Sequence, residues 1–430
     1  GDITTWYPGF YTDLRPVAGQ QELRIVLIPL SKKNYSSTVI LPFRGIVSNQ
    51  AKASSLQAVA KKDVSLPTTS ADRSMSVLPG VQVIGKSGMP GEGNYFSIRG
   101  VNTLTAASQP LLVINGVPYM PDQNESGIIG GFSKGILNGI HPRDIENITV
   151  LKGAETALYG SMGSNGVVMI ETDKAVDLET KVQLISQVGV SNNQRRMPVM
   201  GVQDYKSYIG NVALTRYDDM AQVLNLFPYL IDDPGYYYNF LYNNSTDWQS
   251  LLYQPGLTTD HVLKIKGGDA IAKYDLSIGV KSDKGQLIST GYDKYFARLN
   301  SDVNLSRNIQ FFSSVLMAYH SYTAQEQGML ESTNPLLAAM KKGPVFSPWQ
   351  KDNENRLLPD LAVIRDQDDQ LIVNNSVSNP LAIVQSLDAR EHGYDVQINA
   401  GLNYKVSDGV NLKALAGIYY YLSRQNVFVP

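Results

Sequence analysis

The sequence contains no cysteine and no long apolar run among its 430 residues. Without cysteine there is no disulfide framework, no thiolate metal site and no cysteine nucleophile. Uninterrupted apolar stretches of about 18 residues, which a transmembrane helix requires, do not occur. The four histidines are scattered and stand at no ligand spacing with Glu, so we predict no zinc site, no other metal site and no cofactor.

The chain has no excess of positive charge. Lys and Arg total 37 against 39 Asp and Glu, which argues against nucleic acid as a partner. A G-x-S-x-G nucleophile motif is also missing, and no other catalytic group of residues is recognisable, so we predict that the protein is not an enzyme. A chain with 25 tyrosines and only 18% charged residues is compatible with an outer-membrane β-barrel.

One motif suggests nucleotide binding and is rejected. Gly80–Ser87 matches the phosphate-loop pattern G-x-x-x-x-G-K-[ST]. That chemistry needs a loop of backbone amides followed at once by a helix N-terminus. Here the middle residues VQVI favour a strand, and the following GMPGEGN cannot begin a helix. We therefore predict that Lys86 has no nucleotide role.

Residues 80–172 have the pattern of a compact α/β unit. Unbroken apolar runs predict strands that are covered on both faces. Asn and Gly tolerate positive φ and so predict a turn, whereas Pro favours the first turn of a helix. On these grounds we predict strands at Leu111–Ile114, Ile148–Leu151 and Val167–Ile170, a turn at Asn115-Gly116, a helical turn at Pro142, and a helix over Ala154–Tyr159 that glycines 160, 163 and 166 end.

From residue 181 onward the pattern changes to a period of two. Tyr274, Leu276, Ile278 and Val280, for example, alternate with polar residues or glycine. This alternation predicts strands with one apolar and one polar face. We predict seven such strands, at about 181–192, 259–267, 271–282, 292–305, 309–321, 393–406 and 410–423.

The connections between these strands alternate between short and long. Tight turns are predicted after the second, fourth and sixth strands, long connections at about 193–258 and 322–392, and a connection of intermediate length at 283–291. Short turns at one end of a sheet and long loops at the other are typical of transmembrane β-barrels.

At the level of family, the segments FSIRG, PLLVINGVP and IENITVLKGAETALYGSMGSNGVVMIET resemble the plug domain of SusC/RagA-type TonB-dependent outer-membrane receptors. The resemblance implies energised import of bulky nutrients, often glycans, across a bacterial outer membrane. It also implies three partners: a TonB-type energy-coupling protein, a SusD-type surface lipoprotein, and a glycan or peptide ligand.

The resemblance implies a division of the chain into four parts. Residues 1–30 resemble the tail of a carboxypeptidase-regulatory-like β-sandwich, with a strand at Leu23–Leu27. Residues 31–79 are then a linker and plug entrance, 80–175 the mixed α/β plug domain, and 176–430 the antiparallel strands of an incomplete outer-membrane barrel with long extracellular loops. A plug of this size requires a barrel of about 22 strands, so we expect the chain to be a fragment of a longer receptor.

Two sets of candidate binding residues follow. An apolar patch in the linker stands where a TonB-contacting segment is expected, although the family's usual acidic-then-valine run is not reproduced; the alternative is an ordinary edge strand. Aromatic residues in the long loops offer flat faces for sugar rings, or else form the core of those loops. The first set is Thr38, Val39, Ile40, Leu41, Pro42 and Phe43; the second is Tyr236, Tyr237, Tyr238, Trp248 and Trp349.

Two other classes of function compete with the importer hypothesis. The chain could be a soluble or surface-exposed ligand-binding or adhesion module that carries a plug-like domain. An enzyme is the weakest alternative, because no catalytic constellation accompanies the glycine-rich loops. Dependence of the protein on detergent discriminates between importer and soluble module.

Overall fold

A computed structural model defines two compact units, which comprise residues 1–83, 96–120 and 142–173 in the first and 84–95, 121–141 and 174–430 in the second. The described residues are 71–103, 108–119, 128–174, 179–192, 196–330, 333–352, 354, 356–361, 377–407 and 409–429, together with the backbone of five short strands within residues 1–60. The predicted strand at Leu23–Leu27 lies outside the described residues.

The N-terminal strands form small antiparallel pairs. β1 (Asp2–Thr5) pairs with β2 (Asp13–Pro16), and β3 (Val39–Leu41) pairs with β4 (Gly45–Val47). The tail of a β-sandwich predicted for residues 1–30 therefore stays a prediction, since one two-stranded pair does not define a sandwich.

The core of the first unit is a five-stranded mixed sheet. Its spatial order is β5 (Leu56–Ala60), β10 (Ile145–Leu151), β11 (Val167–Thr172), β8 (Leu111–Ile114) and β9 (Val117–Tyr119), and only β11 and β8 run parallel. The three strands predicted from apolar runs are thus confirmed, and all four residues of β8 are buried. The remaining strands of this part of the chain, β6 (Val81–Gly85) and β7 (Asn94–Ile98), form a separate pair.

Turns and short helices join these strands as the residue types require. Asn115 and Gly116 adopt φ of 51° and 87° and close the β8–β9 hairpin, as predicted. Pro142 opens a 3-10 turn at Pro142–Asp144. The predicted helix at Ala154 is a 3-10 helix over Ala154–Gly163 instead, broken at Gly160, whose φ is 59°. At the end of this element Gly163 passes close to the first turn, since a Cβ there would lie 2.4 Å from the Thr156 carbonyl oxygen.

The second unit is built on a seven-stranded sheet in which every neighbouring pair is antiparallel. All seven predicted strands are present, in sequence order, and several are longer than predicted: β12 (Lys181–Ser191), β13 (Gly256–Gly268), β14 (Ala272–Lys284), β15 (Gly291–Asn304), β16 (Ile309–Thr323), β19 (Asp388–Ser407) and β20 (Val410–Phe428). The tight turns after β13, β15 and β19 are confirmed by these bounds.

Burial on this sheet is inverted with respect to a water-soluble sheet. In β14 the apolar residue Ile278 is 47% exposed, whereas the polar residues Asp275 and Ser277 are both 0% exposed. The same alternation occurs in β19, where Tyr394 and Ile398 are exposed and Asp395, Gln397 and Asn399 are buried. An apolar outer face and a polar inner face is the arrangement of a membrane β-barrel.

The long connections of the second unit fold into helices. The β12–β13 connection contains α1 (Val202–Leu214), α2 (Met220–Leu226), a 3-10 turn at Pro228–Leu230, α3 (Asn239–Tyr242) and α4 (Trp248–Leu252). The β16–β19 connection contains α5 (Pro335–Lys341), the paired strands β17 (Trp349–Lys351) and β18 (Leu357–Leu361), and α6 (Pro380–Ser386). Among the described residues, none of the helices has the length and apolar content needed to cross a membrane.

Candidate functional site: plug loops on the polar face of the sheet

Two segments of the second unit, loop A (residues 84–95) and loop B (residues 128–141), are joined to each other through their backbones. Gly93 N–H donates to the Ser133 carbonyl at 2.9 Å, and Gly135 N–H donates to the Gly91 carbonyl at 3.2 Å. The approach is possible because the residues are glycines: a Cβ on Gly93 would lie 2.6 Å from Gly135 Cα. Loops A and B are therefore bonded to each other at their closest approach.

Loop B makes a charged contact with the polar face of the sheet. Lys134 Nζ lies 2.6 Å from Glu391 Oε1, and both side chains are largely buried. The same ammonium group donates to Ser423 Oγ at 3.2 Å and to the Tyr421 hydroxyl. One lysine thus connects loop B to two neighbouring strands, β19 and β20.

The end of loop B adds three polar contacts. Asn138 Nδ2 donates to the Tyr322 hydroxyl at 3.1 Å, and Lys294 Nζ donates to the Asn138 carbonyl. His141 Nε2 lies 3.2 Å from both carboxylate oxygens of Asp260, and its ring stacks on Phe296 with centroids 4.6 Å apart. These contacts spread over strands β13, β15 and β16.

Loop A crosses an aromatic surface with no room for a side chain. Gly91 has φ of 73°, and a Cβ there would lie 2.5 Å from the Tyr322 ring and 2.8 Å from the Tyr292 ring. These two rings stack with centroids 4.8 Å apart. Loop B adds Ile129 and Phe132 to the same apolar cluster, so the contact combines dry packing with polar bonds.

Loop A also carries a carboxyl group with a shifted pKa. Burial raises the pKa of Glu92 above its ordinary value of 4.5, and the hydrogen bond from Ser87 and the charge of Lys86 oppose that shift without cancelling it. Lys86 itself donates to Ser133 Oγ at 2.7 Å. The strand predicted over the middle of the phosphate-loop pattern is present as β6, so its amides do not surround an anion.

The helical connections form a second structure, the cap, whose aromatic core contains residues from both long loops. Trp248 is 3% exposed and its indole N–H donates to the Gly343 carbonyl at 3.0 Å. Burial also lowers the pKa of Lys342 to about 8, and its Nζ donates to the Val377 carbonyl at 2.8 Å. The buried members of the core are Tyr205, Tyr229, Tyr242, Trp248, Leu252, Leu287, Ala339, Val345, Phe346 and Val384.

The aromatic ligand candidates fall into different environments. Trp248 belongs to the cap core, and Tyr236 and Tyr238 pack against that core, so loop-core packing accounts for these three residues. Tyr237 is 65% exposed, and Trp349 is half-buried at the start of β17. Tyr237 is thus the most exposed of the five rings, and Tyr236, Tyr238 and Trp349 are each half-buried.

The apolar linker patch is described in part. Val39, Ile40 and Leu41 form strand β3, which pairs with Gly45–Val47. Thr38, Pro42 and Phe43 lie outside the described residues. A role in contacting an energy-coupling protein stays a prediction for all six residues.

No metal chemistry emerges from the described part of the chain. Within residues 71–429, apart from the gaps given above, no three His, Asp or Glu side chains are grouped so that they could hold a metal ion. The contacts of loops A and B are hydrogen bonds, ion pairs and stacked rings. Together they hold the two loops against the polar face of the sheet.

The sequence reasoning missed the residues that make these contacts. Lys134 is an isolated charge in sequence, Glu391 stands beside Arg390, and Lys134 and Ser423 are 289 positions apart. One feature of the sequence could have indicated these contacts: glycine is frequent in residues 85–93 and 130–139. Backbones that approach each other closely leave no room for side chains, so glycine is favoured there.

A mixed α/β unit, a sheet that is apolar outside and polar inside, and glycine-rich loops on its polar face define a plugged outer-membrane β-barrel receptor. Comparison with known proteins agrees. A family model for the TonB-dependent receptor plug domain matches residues 48–167. The TonB-dependent receptor SusC of Bacteroides thetaiotaomicron is 30% identical over 308 residues, which is 70% of this chain and 27% of SusC.

Two further similarities extend over more of the chain. TonB-dependent receptor P3 of Formosa agariphila is 23% identical over 419 residues, or 96% of this chain and 36% of P3. The RagAB peptide importer in its open-open state superposes with a TM-score of 0.72 at 19% identity, covering 91% of this chain and 43% of that one. The chain therefore spans about a third of the length of its curated relatives.

The chain belongs to the SusC/RagA-type TonB-dependent receptors. These are β-barrel proteins of the bacterial outer membrane, and that is where this chain is located.

Proposed function

We propose that the chain is the plug and the first part of the barrel of an importer for bulky polar nutrients, with oligosaccharides preferred over peptides. One observation carries the proposal: loops A and B cover the polar face of the sheet through contacts such as Lys134–Glu391 and His141–Asp260. A barrel wall that is polar inside suits a hydrated ligand. Loops A and B, held against that wall, would block the ligand until their contacts with the wall are released.

Release of the loops needs an energy input from the periplasmic side. We assign this role to the segment Thr38–Phe43 and a TonB-type energy-coupling protein. The backbone pairing of Val39–Leu41 supports the assignment, because a short strand can exchange its partner for a strand of another protein. A SusD-type surface lipoprotein is the expected partner on the outer side, on the strength of family resemblance.

The choice of ligand class rests on that resemblance as well. RagAB, which has the same fold, is a peptide importer, so peptides are the competing ligand class. Among the aromatic candidates, the exposed ring of Tyr237 is the one that a sugar could reach most readily, and the half-buried rings of Tyr236, Tyr238 and Trp349 offer less surface. The remaining alternative, a soluble or surface-exposed binding module, is disfavoured by the exposed apolar face of the sheet.

The decisive experiment is growth of the source bacterium on defined oligosaccharides and on defined peptides. Deletion of residues 37–43 from the complete gene should abolish growth on every nutrient that requires the intact gene. Deletion of residues 31–36, in the same linker, is the matched control and should preserve growth. Unchanged growth after the first deletion would show that Thr38–Phe43 is not the energy-coupling segment. If the intact gene is required only for growth on peptides, the ligand class is peptide and not oligosaccharide.

A further inference from the structure

The cap is connected to loop B through a short series of hydrogen bonds that begins at helix α5. Asn334 is the N-cap of this helix, and its Oδ1 accepts the N–H groups of Leu336 and Leu337 at 3.0 and 3.1 Å. The other end of the same amide, Nδ2, donates to the Gly328 carbonyl at 2.8 Å. The position of Gly328 is therefore tied to the first turn of α5.

A single carboxylate continues the connection. Glu326 is 8% exposed; its Oε1 accepts the Gly328 N–H and its Oε2 accepts the Gly130 N–H, each at 2.8 Å. Gln327 N–H returns a bond to the Gly130 carbonyl at 2.9 Å. One side chain thus bonds to the backbones of both segments, at Gly328 and at Gly130.

The contacts around Glu326 leave no space for a side chain at the neighbouring glycines. A Cβ on Gly130 would lie 2.3 Å from Glu326 Oε1, and a Cβ on Gly328 would lie 2.4 Å from the same oxygen. A Cβ on Gly131, whose φ is 79°, would lie 2.6 Å from the Gln327 carbonyl carbon. Because both backbones touch the carboxylate, neither can shift without breaking a bond to it.

Helix α5 is also held by the cap core. Ala339 of α5 is buried in the core, and Leu336 packs against it. A displacement of the cap therefore moves α5, and the hydrogen bonds from Asn334 onward transmit the displacement to Gly130.

We propose that Glu326 is a positioning residue that couples the cap to loop B, through the series Asn334, Gly328, Glu326 and Gly130. The inference rests on the proposed function for its meaning: a nutrient that contacts the cap would loosen or shift loop B before it reaches the barrel wall. In this proposal Glu326 does not contact the ligand, and its role is to pass a displacement of the cap on to loop B.

The test is amide hydrogen exchange of the full-length receptor without ligand. Asn334→Asp keeps the acceptor that caps α5 and removes the donor to Gly328, so α5 should stay protected. Loop B should nevertheless exchange about tenfold faster, the effect of losing roughly one hydrogen bond. Asn334 touches no residue of loop B in the contacts described above, so the change would have to travel through the segment 326–328, and the Glu326 variants below separate the carboxyl group from the Gln327 backbone.

The matched control is Asn379, which caps helix α6 in the same connection. Its Oδ1 accepts the Leu381 N–H at 3.1 Å and its Nδ2 donates to the Pro348 carbonyl at 2.9 Å. Asn379→Asp should leave loop B unchanged. Unchanged exchange in loop B with Asn334→Asp, or equal loosening with Asn379→Asp, would overturn the proposal.

Glu326→Ala and Glu326→Gln complete the experiment. The alanine variant should accelerate exchange in both loop B and residues 333–342, whereas the glutamine variant, with one acceptor left, should have a smaller effect. If Glu326→Ala loosens only loop B, no coupling exists. Because exchange is measured without a nutrient, failure of the import hypothesis in growth assays would leave this result standing, and the converse also holds.

Discussion

At the scale of single residues, Gly91 decides whether loop A can lie on the sheet. Its φ is positive, and a Cβ at this position would lie 2.5 and 2.8 Å from two tyrosine rings, which leaves no space for a methyl group. Gly91→Ala should therefore destabilise the second unit by about 1–3 kcal/mol, the usual cost of overpacking. Gly88 is the control in the same loop, since nothing lies within 4 Å of its Cβ position. Equal unfolding midpoints for Gly91→Ala and Gly88→Ala would contradict the packing described.

Glu92, also in loop A, makes stability depend on pH. Burial is the largest cause that raises its pKa above 4.5, so the folded protein binds this proton more tightly than the unfolded chain. The stability from this group is complete below pH 4.5 and is lost as the pH rises through the folded-state pKa. Glu92→Gln should therefore raise the unfolding midpoint near neutral pH, with no difference from the parent below pH 4.5. Glu354→Gln, at an exposed position, is the control.

Trp248 and Tyr237 separate the two roles that the loop aromatics could have. Trp248→Ala should cost about 3–5 kcal/mol of stability, because it empties a buried site and leaves the Gly343 carbonyl without its donor. Tyr237→Ala should leave the unfolding midpoint unchanged and reduce affinity for oligosaccharide. A loss of stability in Tyr237→Ala, or unchanged binding in a protein of unchanged stability, would assign Tyr237 to packing instead.

At the scale of elements, substitutions on the outer face of the sheet distinguish a face that contacts lipid from one that contacts water. Ile278 in β14 and Val212 in helix α1 are 47% and 48% exposed, so in water their replacement by lysine would have similar effects. If β14 faces lipid, Ile278→Lys should cost about 2–4 kcal/mol near the membrane midplane, whereas Val212→Lys should cost almost nothing. Folding of the full-length receptor into lipid vesicles measures the difference. Equal behaviour of the two variants would favour the soluble module.

Elements were predictable where the pattern along the chain was local. Leu111–Ile114 and Val167–Ile170 are continuous apolar runs, and a covered strand is the simplest structure that accepts them. The period-two segments were equally clear, because the two faces of a sheet meet different surroundings. The 3-10 winding of Ala154–Gly163 was not predictable from helix propensity, which does not distinguish it from an α-helix. The loop contacts were not predictable either, because glycine-rich segments have no period that shows where they lie.

At the scale of the whole molecule, β12 and β20 are the two ends of the sheet in the described residues, and each pairs with one neighbour there. Unpaired backbone groups at a sheet edge cannot remain in lipid, where no water satisfies them. We therefore expect the 430-residue chain by itself to form no closed pore. Its strands should instead pair between copies or form an open half-shell.

Planar-bilayer recording tests this expectation. The purified 430-residue chain should give no stable, uniform conductance steps, with or without loop B. Deletion of residues 128–141 matters because loops A and B would obstruct a barrel that did close, and silence alone could then reflect a plugged pore. Uniform steps that appear only after this deletion would mean that one chain closes a barrel around its plug. Silence in both cases, together with insertion into vesicles only when further strands are supplied, is the result that an open sheet requires.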